Sequence, residues 1–256
     1  MFGRSSFPPP MVDMHSHLLP AVDDGVRTPQ EAVQLLKMAV KDGVMMQVLT
    51  PHLHPHRYPA NTRARLQKRF EEFRDLVRSL GIPIDLHLAA EVRIGPEVRE
   101  LVESDAIPWL GEWAGYKTFL LEFPLRSLPE GSERLVHWLR KAGTLPIIVH
   151  PERNLVFQKH PEKLQPFLDL DCPLQITAGS LAGHFGRPAQ KLAARLLKED
   201  LVSAIASDAH NLRYRPPNLS RGVRAAAKLI GKKRAAELVT SDVFDLLMGD
   251  RHRIAI

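Results

Sequence analysis

An α/β fold built on a parallel, barrel-like sheet is predicted by three observations. Seven short runs rich in Val, Ile and Leu alternate with helix-length segments along the chain. Several of these runs are apolar on both faces, as in buried parallel strands. No linker, repeat or low-complexity tract beyond Pro8–Pro10 divides the 256 residues, and about 250 residues is an ordinary size for one (β/α) barrel.

The first strand is expected at Met11–His15. Thr28-Pro29-Gln30-Glu31 then supplies an N-cap, a Pro at the first helical position and a Glu at the third. This is a capping box opening a helix over Ala32–Lys41, with Asp42-Gly43 as its stop. Met45–Thr50 is the second strand, followed by a helix over Thr62–Leu80 that ends at Gly81. Ile84–Ala90 and Lys117–Phe123 are the third and fourth strands, and a helix over Glu130–Lys141 ends at Gly143. Leu145–Val149, Leu174–Thr177 and Ser203–Ser207 complete the strands. Helices are expected at Ala189–Glu199, Arg221–Leu229 and Lys232–Leu247. Met1–Pro10 is Pro-rich and lacks the apolar core of a signal peptide. A disordered leader over 1–10 is therefore expected before a single domain over 11–256.

Composition bounds the function. Apolar residues make up 44% of the chain and charged residues 25%, which suits a globular domain with a real core. A single Cys against twelve His excludes an intramolecular disulfide framework and Cys-rich zinc modules, and fits the reducing cytoplasm. No run approaches the ~20 apolar residues of a membrane span. The net charge of +6 suits an anionic partner, whether nucleic acid, membrane or phosphorylated protein. Solvated faces at Arg63–Arg78 and Arg213–Arg234 would produce the same balance, so charge alone names no partner.

The informative pattern is where the polar residues stand. The first strand ends in Asp13, His15 and His17; the second runs into His52; the third ends at Glu91, the fourth at Glu122 and the fifth at His150; the last ends in Asp208 and His210. Only Leu174–Thr177 lacks such an ending. The carboxyl ends of parallel strands form one face, so residues remote in sequence converge there. His15-Ser16-His17 alternates, which aims both rings to one side. Glu91 and Glu122, closing apolar strands, need a cation or a buried Arg partner. Asp23-Asp24-Gly25 reads either as an acidic turn or, through Asp24, as a further ligand. His54 and His56 follow His52 in a Pro-rich loop and read as substrate-loop or simply exposed residues.

His15, His17, Asp24, His52, Glu91, Glu122, His150, Asp208 and His210 are more ligands than one metal requires. Imidazole and carboxylate without thiolate suit Zn, Mn or Fe(II). Two or three divalent ions with shared carboxylates would activate water and clamp a phosphate ester. Arg153 and Arg215 follow His150 and His210 on the same face. Their forked guanidinium groups match phosphate oxygens, or else form surface ion pairs.

Taken together, His15-Ser16-His17-Leu18-Leu19-Pro20, Asp23-Asp24-Gly25, Thr50-Pro51-His52, Ala90-Glu91, Leu121-Glu122-Phe123, His150-Pro151-Glu152-Arg153 and Ser207-Asp208-Ala209-His210-Asn211 resemble the PHP (polymerase and histidinol phosphatase) metallophosphoesterases. More narrowly, the chain resembles the CpsB/CapC-type protein-tyrosine phosphatases of bacterial capsule and exopolysaccharide systems. The resemblance runs in order from about Met11 to the C-terminus. It implies a distorted (β/α)7 TIM-like barrel of the PHP type and a trinuclear metal site, usually with manganese or other divalent ions. It assigns the nine residues above as ligands, Asp24 included, and Arg153 and Arg215 as phosphate binders. Leu53-His54-Pro55-His56 and Asn211-Leu212-Arg213-Tyr214 depart from the family pattern, and the first ten residues have no counterpart in it.

The expected reaction is hydrolysis of phosphotyrosine, with the tail of an autophosphorylated bacterial tyrosine kinase as the implied partner. His52, or else an adjacent water, would protonate the leaving group; Asp208 and the two arginines complete the expected catalytic set. Cys172 has Ala178 where a Cys-x5-Arg phosphatase loop needs Arg, so the cysteine mechanism is excluded, and without a GxxxxGK[ST] loop an ATP-driven reaction is not expected. The alternatives are another PHP hydrolase, acting on histidinol phosphate or DNA ends, and a scaffold that binds a phosphorylated tail without turnover. Aromatics at 6% give no stacking stripe for nucleic acid.

Overall fold

The computed structural model describes residues 7–249. Its strands are β1 (Met11–Asp13), β2 (Val44–Leu49), β3 (His52–Leu53), β4 (Asp85–Leu88), β5 (Glu91–Arg93), β6 (Gly111–Trp113), β7 (Tyr116–Glu122), β8 (Thr144–Val149), β9 (Leu174–Thr177) and β10 (Val202–Ala206). One parallel sheet runs β1-β2-β4 and another runs β10-β9-β8-β7-β5-β3. The expected parallel α/β architecture is thus present. β6 is an addition, an antiparallel partner of β7 that the residue pattern did not suggest.

The expected strands Met45–Thr50 and Ile84–Ala90 are present as β2 and β4, and each is followed, after a two-residue break, by a short extra strand, β3 and β5. β2 and β3 are interrupted at Thr50-Pro51, where Pro51 has no N–H to give a ladder. β4 and β5 are interrupted at Ala89-Ala90. Hydrogen bonds bridge the breaks, from Ala89 N to Leu49 O at 2.9 Å and from Glu91 N to Pro51 O at 3.2 Å. The breaks place His52 and Glu91 on short segments of their own, paired in register.

β1 and β10 meet only at their carboxyl ends, through a parallel bridge between Ser16 and Ala209. Lower down, the segment between two C-terminal helices stands between them. Val12 N donates to Val239 O at 2.8 Å and Ile205 N to Leu238 O at 2.9 Å. This is why the expected helix over Lys232–Leu247 is instead two, Lys232–Glu237 and Ser241–Met248. The carbonyls of Leu238 and Val239 turn out to serve the sheet.

The other expected helices are present at Pro29–Asp42, Arg63–Ser79, Ser132–Lys141, Gly186–Lys198 and Leu219–Ile230, with shifted ends, and Glu97–Glu103 is additional. At Thr28 the N-cap forms as expected, its side chain accepting from Glu31 N at 3.2 Å. The reciprocal bond is displaced by one residue: Glu31 accepts from Arg27 N at 3.3 Å. Gly43, at φ 97°, ends this helix in the left-handed region.

Leu35, Leu36, Phe70, Phe73, Leu139 and Val223 pack helices onto the strands. Each such burial contributes about 1.5–3 kcal/mol. A second cluster joins strand residues Val12, Val48, Leu120, Ile147 and Ala204 to Val243, Leu246 and Leu247 of the last helix. Thr118 Oγ1 donates to Leu246 O at 3.0 Å. Gly111 permits this approach, since a Cβ there would lie 2.1 Å from Leu247 O. Residues 1–6 of the expected leader lie outside the described residues, whereas Phe7 packs against the core. Among the described residues no helix is long and apolar enough to cross a membrane.

Candidate metal centre

The carboxyl ends of the strands carry a cleft walled by imidazoles, carboxylates and arginines. His15 and His17 leave the end of β1, His52 and Glu91 stand on β3 and β5, Glu122 ends β7, His150 follows β8, and Asp208 and His210 follow β10. Asp24 reaches in from the loop after β1. All nine expected ligands converge. They fall into four overlapping groups whose ligand atoms lie within 4.8 Å of one another: His17–Asp24–His52–His210, His15–Glu91–His150, His15–His17–Asp208 and His52–Glu91–Glu122.

Glu91 is the hub. One carboxylate oxygen lies 2.7 Å from His150 Nε2 and 3.5 Å from His15 Nε2. The other lies 3.1 Å from His17 Nε2 and 3.0 Å from His52 Nδ1. Asp208 is the second centre. Its Oδ1 lies 3.5 Å from nitrogens of His15, His17 and His210 and has no hydrogen bond, although it is buried. His52 Nδ1 is likewise buried without one. A buried polar atom that no hydrogen bond satisfies is costly unless a cation completes it. The donor set, nitrogen and oxygen only, therefore fits divalent metal ions.

Electrostatics hold the two hub carboxylates ionised. Burial opposes the charge on Asp208, but Arg215, His15, His210 and Arg153 overcome it and hold its carboxyl well below the usual range. Burial likewise opposes charge on Glu91, and His15 and His52 outweigh it. Burial and the neighbouring His17 push His210 down to about 2, so its ring is neutral with a lone pair to offer. His17 is driven the other way: burial disfavours its charge, but Asp23 and Glu91 raise its pKa well above the ordinary value.

A family model described as "Capsular polysaccharide synthesis, CpsB/CapC" matches residues 11–248, spanning every one of these positions. The chain belongs to the CpsB/CapC family. The tyrosine-protein phosphatase YwqE of Bacillus subtilis (strain 168) is 32% identical over 205 residues, covering 80% of this chain and 79% of YwqE. The tyrosine-protein phosphatase CpsB of Streptococcus pneumoniae is 27% identical over 247 residues, covering 93% and 98%. A crystal structure from work on YwqE and CpsB, described there as unique metal-dependent tyrosine phosphatases, superposes with a TM-score of 0.84. It shares 30% identity and covers 93% of this chain and 94% of its own.

In this CpsB/CapC chain a second ring of residues, mostly missed from sequence, holds the first. Asp23, beside the expected ligand Asp24, is buried and accepts from His17 Nδ1 at 2.8 Å, His52 N at 2.9 Å and Gly25 N at 2.9 Å. Gly25 is required for this turn, because a Cβ there would sit 2.0 Å from His17 O. Gln175 of β9, the strand without a ligand, accepts from His15 Nδ1 at 2.8 Å and so turns Nε2 into the cleft. Asp13 accepts from Ser207 N at 2.9 Å and from the Ser207 hydroxyl. It thereby anchors the turn that sets Asp208 at φ 53°. His150, at φ 36°, is the other ligand in the left-handed region. Buried Glu152 braces it from the next turn, accepting from Thr177 N at 2.9 Å and Ser180 Oγ at 2.7 Å.

Arg153 and Arg215 both donate to Asp208 Oδ2. Glu122 forms the expected Arg pair, half-buried, and also stands in one of the ligand groups. It stands 4.0 Å from His52 Nδ1 in the ligand set and accepts from Arg93 at 2.8 Å. His54 lines the cleft, and His56 is exposed and pairs with Glu97 at 2.6 Å. Tyr58 stacks on His52, with centroids 5.6 Å apart and planes 7° from parallel. Cys172 is buried away from the cleft, and burial pushes its thiol up to about 12.

Proposed function

We propose that this protein is a metal-dependent protein-tyrosine phosphatase. Its substrate is phosphotyrosine on the tail of an autophosphorylated bacterial tyrosine kinase that controls capsule or exopolysaccharide synthesis. The observation that carries the reading is the convergence of Arg153 and Arg215 on Asp208, at the edge of the nine-residue imidazole–carboxylate cluster. Family membership and the relatives' names supply the substrate class. His15, His17, Asp24, His52, Glu91, Glu122, His150, Asp208 and His210 would hold two or three divalent ions, manganese in the first instance and zinc or iron as alternatives. Such ions lower the pKa of water and neutralise charge on a phosphoryl group.

The chain's own part is positioning. Arg153 and Arg215 offer guanidinium donors to phosphate oxygens at the cleft and stabilise charge that develops there. Asp208 keeps both arginines aimed while its other oxygen faces the imidazoles. His52 turns both ring nitrogens to carboxylates, Nε2 to Asp24 at 3.2 Å and Nδ1 to Glu91. This supports a ligand role over that of leaving-group acid.

The same reading takes residues 11–256, of which 250–256 lie outside the described residues, as one domain in a distorted (β/α)7 barrel. Counting β2/β3 and β4/β5 as one strand position each, every neighbour is paired in parallel, and the Ser16–Ala209 bridge links β10 back to β1. The lone buried Cys supports a cytoplasmic setting. A substrate panel tests the function. Manganese-loaded protein should release phosphate from a phosphotyrosine peptide in preference to histidinol phosphate and single-stranded DNA. Turnover of DNA alone, or tight phosphopeptide binding without turnover, would overturn it.

A further inference from the structure

We propose that Phe185 is a positioning residue for phosphate binding, an aromatic shelf that carries both cleft arginines. The inference rests on the reading of Arg153 and Arg215 as phosphate binders and extends it to a residue with no polar atom of its own. The Arg153 guanidinium carbon lies 4.5 Å from the Phe185 ring centroid and that of Arg215 lies 6.0 Å from it. The two arginines come from turns after different strands, yet one ring serves both.

The chain is shaped to put that ring there. Phe185 lies in the short connection before the helix Gly186–Lys198. Gly183 and Gly186 flank it at φ 84° and 86°, a region side chains disfavour. His184 N donates to Gly179 O at 2.9 Å and ties the connection back to the end of β9. Gly179 leaves the seat open, since a Cβ there would lie 2.9 Å from Phe185 Cε2.

The physical need is specific. Two guanidinium groups directed at one carboxylate oxygen repel each other, and both are mostly shielded from water. The negative face of an aromatic ring attracts cations from below and leaves their in-plane N–H groups free. Arg215 Nε is buried with no partner, so donors remain for an arriving anion. Phe185 would thus set the direction of the donors that meet phosphate and leave the metal-ligand cluster untouched.

The test compares Phe185→Leu, Phe185→Tyr and Gly179→Ala with the unmodified, manganese-loaded protein. The Leu variant keeps the apolar bulk and removes the π face. It should raise KM for a phosphotyrosine peptide and Ki for inorganic phosphate together, by about 5- to 20-fold. It should leave metal content unchanged and lower kcat by less than it raises KM, because the shelf touches no metal ligand and acts on phosphate only through the arginines. Phe185→Tyr should restore both constants, and Gly179→Ala, which displaces the ring, should act like the Leu variant. Unchanged KM and Ki in Phe185→Leu, or a loss confined to kcat and metal content, would overturn the shelf. So would a Tyr variant no better than Leu. Arg215→Ala run in parallel separates the two claims. If it leaves phosphate inhibition intact, the arginine reading fails; if it weakens inhibition while Phe185→Leu does not, only the shelf fails.

Discussion

The floor and the rim of the cleft are built from the same residue types but differ in how they are held. On the floor, the side chains of Asp208 and Glu91 are 1% exposed, and each faces several fixed partners. The floor imidazoles His15 and His17 are braced from behind by Gln175 and Asp23. At the rim, Asp24 is 40% exposed, and its cationic neighbour Arg57 stands 3.6 Å away in solvent. Buried charges need fixed geometry, because every missing partner costs desolvation free energy. Exposed ones are screened and can rearrange. On the proposed reading the floor, with Asp24 reaching in from the rim, would hold the metal and phosphate, which are the same in every substrate. The rim suits the variable protein around the phosphotyrosine.

Removing a floor ligand should have the largest effect. Asp208→Asn is the informative change, since Asn tolerates the positive φ at this position. It should lower turnover by more than about 100-fold, beyond what the loss of a supporting partner costs, with the circular dichroism spectrum unchanged. Near-normal turnover at limiting metal would remove the distinction between floor and rim. Next come the braces. Asp23→Ala leaves all nine ligands in place but frees His17 Nδ1 and the His52 amide. It should cost about 10- to 100-fold in metal affinity or activity, measured by metal titration. Arg215→Ala should have an effect of comparable size, about 1.5–3 kcal/mol for a charge-assisted contact, but mainly in KM.

Much of this contrast was legible in the sequence, for a definable reason. Strand periodicity and the His, Asp and Glu endings mark the floor directly, because a strand end is a local property. The braces left no such mark. Asp23 looks like any turn residue, and Gln175 sits on the strand that ended without a ligand. Their roles exist only through contacts 6 and 160 residues away. The broken helix at Leu238-Val239 is similar. Its amphipathic period runs on, and only the needs of Val12 and Ile205 for acceptors interrupt it. The short strand β5 is not expected from sequence: the strand read as Ile84–Ala90 stops at Glu91, and three residues give too short a run to show a period.

Acidity offers a further way to separate the regions. In the metal-free protein, burial disfavours charge on His15 and His52, but Glu91 and other carboxylates outweigh it and raise both above 6.5, as Asp23 and Glu91 do for His17. A raised folded pKa contributes stability that is complete below 6.5 and fades as pH rises through the folded value. Metal needs the same rings neutral. The metal-free protein should therefore lose this increment of stability as pH rises, while metal should raise the thermal midpoint more at pH 8 than at pH 6. A midpoint increase independent of pH would show that these imidazoles are not the groups metal displaces protons from.

The smallest effect should come from the rim. Arg57→Ala removes one member of an exposed pair with Asp24 and a cation lying 5.2 Å from the Tyr58 ring centroid. Neither contact is desolvated, so stability should change by less than about 1 kcal/mol. Turnover of free phosphotyrosine should be close to that of the unmodified protein, because the floor is intact. A phosphorylated peptide rich in acidic residues should show a higher KM, and that difference should shrink as salt is raised to screen the lost attraction. A loss on free phosphotyrosine as large as that of Arg215→Ala would mean that Arg57 reaches the phosphate itself, and the boundary between floor and rim would then have to be redrawn through Asp24.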